Sequence, residues 1–128
     1  MQVQIAITSR PRGYKGEVRQ RLMEVFTNFT IRDFNNDDMT QFAEGWYEAV
    51  TRDRLGDTSD AIAESRRQAS DLLRAINADQ RVKALAHNPL LLSVLAMVHQ
   101  RGVGLPQRRA ELYNECFSTG QKLIFETA

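Results

Sequence analysis

HNPLLLSVLAMV, residues 87–98, is apolar on nearly every side once past its first three residues. A helix with one apolar stripe lies on a surface, whereas a helix that is apolar all round must be wrapped by others. The stretch therefore reads as the centre of a helical bundle. It is about half as long as a membrane-spanning helix must be. Asn88-Pro89 sets its start: the asparagine side chain accepts from orphan amides at the N-cap, and proline at the first helical position gives up an amide that has no partner there. Gly102 and Gly104 mark its end.

Working outward, Met39, Phe42, Ala43, Trp46, Tyr47 and Val50 recur at helical spacing and predict a helix reaching about Leu55, where Gly56 stops it. NNDD (35–38) supplies caps, and Asp38 with Gln41 three residues on resembles a capping box. DTSD (57–60) caps the next helix, whose buried stripe reads as Ile62, Ala69, Leu72, Leu73 and Ile76, with Arg66, Arg67 and Arg74 outside. Asn77 or Asp79 caps a short helix holding Val82, Leu85 and Ala86. Pro106 opens a last helix with Leu112, Tyr113, Cys116, Phe117, Leu123 and Ile124 on one side. Gly120 within it weakens the helix by roughly 1 kcal/mol relative to alanine and suits a close helix–helix contact.

The first third of the chain reads differently. Val3, Ile5 and Ile7 alternate with Gln2, Gln4 and Ala6, the period of a strand, and Pro11 and Gly13 end it. A basic stretch, Arg10 to Arg21, carries Arg10, Arg12, Lys15, Arg19 and Arg21 against Glu17 alone. A short helix fits Gly16 to Phe26, and FTIRDF (29–34) alternates as a second short strand. The expected fold is mainly α: four to five helices over 35–128, preceded within 1–34 by one or two strands. Because one or two strands make no stable sheet alone, they are expected to belong to a truncated P-loop ATPase α/β sheet, and the chain to be cut from something longer.

Composition narrows the function classes. With 42% hydrophobic and 26% charged residues, the chain has the mix of a globular domain. A net charge of +1 creates no general field for nucleic acid or an anionic membrane. The lone Cys116 excludes an internal disulfide and a cysteine-based zinc cluster, and fits a reducing, cytoplasmic setting. It reads as a small core residue. His87 and His99 lack carboxylates at metal-ligand spacing, so no metal site is expected. Trp46-Tyr47 reads as core, and the Arg66-Arg67 and Arg108-Arg109 pairs as solvated faces.

ITSRPRGY, FTIRDF with DDMTQFAEGWY, HNPLLLSVLAMV and LPQRRAELYNECF, in that order, resemble the second half of a NACHT-type NTPase of the STAND class. The resemblance covers almost the whole chain. It implies that residues 1–34 are the end of the ATPase core, with Arg10 at the tip of its sensor-1 strand facing the terminal phosphate and Thr8 and Ser9 shaping the turn. A guanidinium suits that role, being permanently charged with donors fixed in a fork. It also implies that residues 35–128 are the helical subdomain that closes over nucleotide, with Pro89, beside Asn88, in the adenine-packing place of a G-x-P motif. His87 stands where that motif has glycine. ATP or ADP with magnesium, an upstream P-loop half of the same protein as partner, a homo-oligomer, and no membrane partner are the further implications.

No G-x-x-x-x-G-K-[ST] occurs, and no apolar run ends in paired acids. The chain by itself is therefore expected to bind no cofactor and to be no enzyme, lacking the groups that hold Mg²⁺. A rival reading takes RGVGLPQRRAELYNE (101–115) as a helix-turn-helix-like DNA-binding or interaction module, with Gln107, Arg108, Arg109 and Glu111 outward. The balanced total charge makes nucleic acid the less favoured partner.

Overall fold

The computed structural model describes residues 2–126, with side chains described for residues 2–118. It divides into two units, residues 1–32 and residues 33–128.

The second unit is built from five helices: α2 (Asn36–Leu55), α3 (Ser59–Ala78), α4 (Gln80–Ala86), α5 (Pro89–Gln100) and α6 (Arg109–Glu126). α5 is the centre. Leu91, Leu92, Val94, Leu95, Ala96 and Val98 are all buried and cover more than half of the helix circumference, while Leu90 and Gln100 on the remaining face are exposed. α2 brings Met39, Ala43 and Tyr47 to the common core, α3 brings Ala69, Leu72 and Ile76, α4 brings Val82, Leu85 and Ala86, and α6 brings Leu112.

α2 and α3 form the most extensive helix pair. Its α3 face is lined at the start by the small residues Ala61, Ser65 and Ala69, all buried, so the backbones approach closely. Ser65 satisfies its buried hydroxyl by donating to the Ile62 carbonyl at 2.8 Å. This shifts the expected stripe: Ile62 is exposed, because Ala61 and Ser65 take the inward positions. The connection between the two helices turns on Gly56, whose φ of 72° and ψ of −170° lie in a region only glycine occupies without strain.

The caps follow local chemistry. Asn35 accepts from the Asp38 amide while Asp38 accepts from the Asn35 amide, both at 2.9 Å, a reciprocal capping box. The expected box, Asp38 with Gln41, is thus displaced by one turn: the chain starts its helix as soon as an asparagine with an acid three residues on permits. Thr58 caps α3, Asp79 caps α4 and Asn88 caps α5. α6 begins at Arg109 rather than at Pro106, which lies in the irregular segment before it. Leu112 is fully buried and Cys116 half-buried against the core, while Tyr113 and Phe117 are exposed. The expectations for Gly120, Leu123 and Ile124 lie outside the described side chains.

The first unit contains one helix, α1 (Gly16–Val25). Residues 3–7 and 29–34 were expected as strands of a P-loop sheet. That expectation is corrected: among the described residues no strand forms. The reason is visible in the side chains. Val3, Ile5, Ile7, Phe29 and Ile31 are all exposed, the last two at 88% and 87%. With no apolar surface to cover them and no ladder to take up their amides, alternation alone does not make a strand. Among the described residues no helix is long and apolar enough to cross a membrane.

Two stability measurements check this account. Gly56→Ala is expected to lower the free energy of unfolding by about 1–3 kcal/mol through backbone strain alone, read by urea denaturation. Leu95→Ala, at a fully buried position, is expected to cost about 2–5 kcal/mol by opening a cavity in the centre.

Candidate functional site

The most heavily constrained polar feature of the second unit is the turn His87-Asn88-Pro89 between α4 and α5. Asn88 Oδ1 accepts from the amides of Leu90 at 3.0 Å and Leu91 at 3.2 Å. The Asn88 amide donates to Leu85 O at 3.1 Å, and its carbonyl accepts from Leu92 at 2.9 Å. Pro89 occupies the first helical position, half-buried, and Leu90 beside it is 62% exposed.

His87 ties this turn to a distant part of the chain. Phe34 N–H donates to His87 O at 2.8 Å, and His87 Nδ1 lies 2.7 Å from Phe34 O. A carbonyl oxygen only accepts, so Nδ1 carries the proton and donates. Phe34 immediately precedes the Asn35 cap of α2. Its ring lies 6.4 Å from that of Phe42, which stacks on Trp46 at 5.8 Å. The turn is thus braced against the start of α2 and its aromatic ladder. His87 sits in ordinary right-handed helical geometry, φ −64° and ψ −25°, so the place where the G-x-P motif has glycine demands no glycine here.

A second polar node lies inside the bundle. Tyr47 on α2 is buried, and its hydroxyl hydrogen-bonds His99 Nδ1 on α5, with the rings edge to face at 5.8 Å. Burial, with help from the Asp71 carboxylate on α3, pushes the Tyr47 phenol up to about 12. Burial pushes His99 below its usual range, Asp71 opposing in part. Beside Tyr47, a depression of about 50 Å³ is lined by Thr51, Arg54, Glu64, Gln68 and Gln100, among others. A second, of about 80 Å³, lies between the α2 C-terminus and the start of α3. Ligand pockets typically hold roughly 300–1,000 Å³, so each of these is too small for a nucleotide. Among the described residues no group of three or more His, Cys, Asp or Glu gathers as a metal site.

In the first unit, Thr8, Ser9 and Arg10 are exposed. The Arg10 carbonyl accepts from Ser9 Oγ and from Gly13 N–H, each at 3.0 Å. A Cβ at Gly13 would lie 3.2 Å from Ser9 Oγ, so the exposed serine side chain would have to give way slightly. The turn fixes the backbone of Arg10, but the strand expected to place its guanidinium is absent. The structure brings Asn88 and Pro89 together on one helix start, and in the other unit Thr8 and Ser9 lie in irregular chain just before the turn whose closing bond Arg10 accepts.

Sequence reading missed the His87–Phe34 pairing, which spans 53 positions and carries no local signature. It also missed Tyr47–His99. The signal for that pair was present: a histidine at the end of an otherwise apolar helix needs a polar partner. No protein-family model, curated protein or solved structure matches this chain.

The His99 environment gives a pH dependence. Its folded pKa is below 6.5, so the unfolded chain takes up the proton first. The stabilisation from a neutral His99 is complete above about pH 6.5 and is lost as pH falls through the folded value. The urea midpoint is therefore expected to drop between pH 7.5 and pH 5, and His99→Gln to flatten that part of the profile; an unchanged slope would remove His99 as its source.

Proposed function

We propose that this chain contributes the lid and the phosphate sensor of a NACHT-type nucleotide switch, residues 33–128 closing over an adenine nucleotide held by a P-loop half elsewhere in the same protein. The observation that carries the reading is the His87-Asn88-Pro89 turn. It is bonded on both sides, yet leaves Leu90 in solvent and Pro89 part-covered at a helix start. A rigid apolar corner of this kind suits contact with the flat face of a base. The order of the four quoted motifs supports it further. The exposed aliphatic side chains of the first unit fit a surface that a partner covers.

In this reading Pro89 packs on adenine, with Asn88 holding it in place. Arg10 gains interaction energy only when a terminal phosphate is present, with Thr8 and Ser9 shaping its turn. A ligand shifts a conformational equilibrium only by its difference in affinity for the two states, and the Arg10–phosphate contact supplies that difference between ATP and ADP. Magnesium and the catalytic groups belong to the P-loop half, and the setting is cytoplasmic.

The chain alone is expected to show negligible ATP turnover. Joined to its P-loop half, Pro89→Ala is expected to weaken ADP binding about tenfold, the equivalent of about 1.4 kcal/mol, by isothermal titration. Equal affinity would leave Pro89 only its role in starting α5. Arg10→Ala should reduce the preference for ATP over ADP with helical content unchanged; an unaltered preference would end the sensor role.

A further inference from the structure

We propose that His87 is a positioning residue that latches the Asn88-Pro89 turn to the point where the chain enters α2. The latch requires a proton on His87 Nδ1, which the neutral imidazole carries only in its Nδ1–H tautomer. This rests on the reading of Pro89 as the contact residue for its significance, but not for its test.

The geometry is specific. One residue makes two bonds to one other residue: its carbonyl accepts from Phe34 N–H at 2.8 Å and its ring donates to Phe34 O at 2.7 Å. A single bond would fix a distance and leave the turn free to rotate about it. Two bonds from different atoms also fix orientation. Asn88 follows at once, and its carboxamide already holds the Leu90 and Leu91 amides. The corner carrying Pro89 is therefore set from one side by α5 and from the other by Phe34. Phe34 in turn is held by its ring against Phe42 and lies one residue before the α2 cap. A displacement of the chain at residue 33 is passed to the Pro89 corner through these two bonds, with no intervening flexible segment.

The tautomer follows from the acceptor. Phe34 O has no proton to give, so the neutral ring must carry its proton on Nδ1. His99 offers a contrast within the same chain. The Tyr47 hydroxyl has a proton, and with His99 held neutral by burial, Nδ1 accepts it and Nε2 carries the ring proton. The two histidines are thus assigned opposite tautomers. The tautomer a histidine adopts is set by the hydrogen bond its other nitrogen makes.

Long-range ¹H–¹⁵N correlation spectra of the chain at pH 8 read this directly. His87 is expected to show the Nδ1–H pattern and His99 the Nε2–H pattern. Amide hydrogen exchange supplies the second readout. The Phe34 amide is expected to exchange at least tenfold more slowly than those of Phe29 and Ile31. His87→Ala should abolish that protection and speed exchange at Leu90 and Leu91. His87→Asn places an amide nitrogen near the position of Nδ1 and should restore protection, whereas His87→Gln reaches instead toward the position of Nε2 and should not. An Nε2–H pattern at His87 would overturn the proposal. So would an unprotected Phe34 amide in the wild-type chain, or equal behaviour of the Asn and Gln variants. Neither readout uses nucleotide, so failure here is separable from failure of adenine contact at Pro89.

Discussion

The second unit depends on α5 being buried over more than half of its circumference. A helix with Leu, Val and Ala over so wide an arc has no stable place at a surface, so the other helices must pack around that arc. That requirement orders the rest. α2 and α3 form a hairpin close enough to act as a wall because α3 offers Ala61, Ser65 and Ala69 to it. α4 is short because Asn88-Pro89 must begin α5 soon after Asp79 ends α3. Leu112 of α6, fully buried, closes another side. The polar chemistry of the unit sits at the ends of this arrangement: the His87 turn where α5 begins, and the Tyr47–His99 pair where it ends.

Much of the helical unit was legible because its signals are local. The period of Met39, Ala43 and Tyr47 marks α2, and Asn88-Pro89 marks the start of α5 through two effects that act within four residues. The error in the α2 cap came from a near-equivalence, since several residues of NNDD satisfy the same rule and only the backbone decides among them. Ile62 failed for a different reason. Reading by hydropathy favours the largest apolar residue, whereas close helix packing places the smallest inward. The His87–Phe34 pair was out of reach of any local rule, and for His99 the sequence shows only the need for a polar partner, not that Tyr47, 52 positions away, supplies it.

The first unit shows the limit of alternation as a signal. Val3, Ile5 and Ile7 have the period of a strand, and so do Phe29 and Ile31. A strand, however, is defined by a neighbour, and periodicity says only which face it would bury. Pro11 and Gly13 were legible as the end of an extended segment, and the Gly13 amide bonded to the Arg10 carbonyl forms the turn there.

The same uncovered aliphatic segments carry a hazard. Short runs of β-branched residues left in solvent are the kind that pair between molecules and seed aggregation. Between them lies the cluster Arg10, Arg12, Lys15, Arg19 and Arg21. Apart from Arg21, which pairs with Glu17, these like charges disfavour edge-to-edge approach of a second copy, as charged residues beside apolar segments generally do.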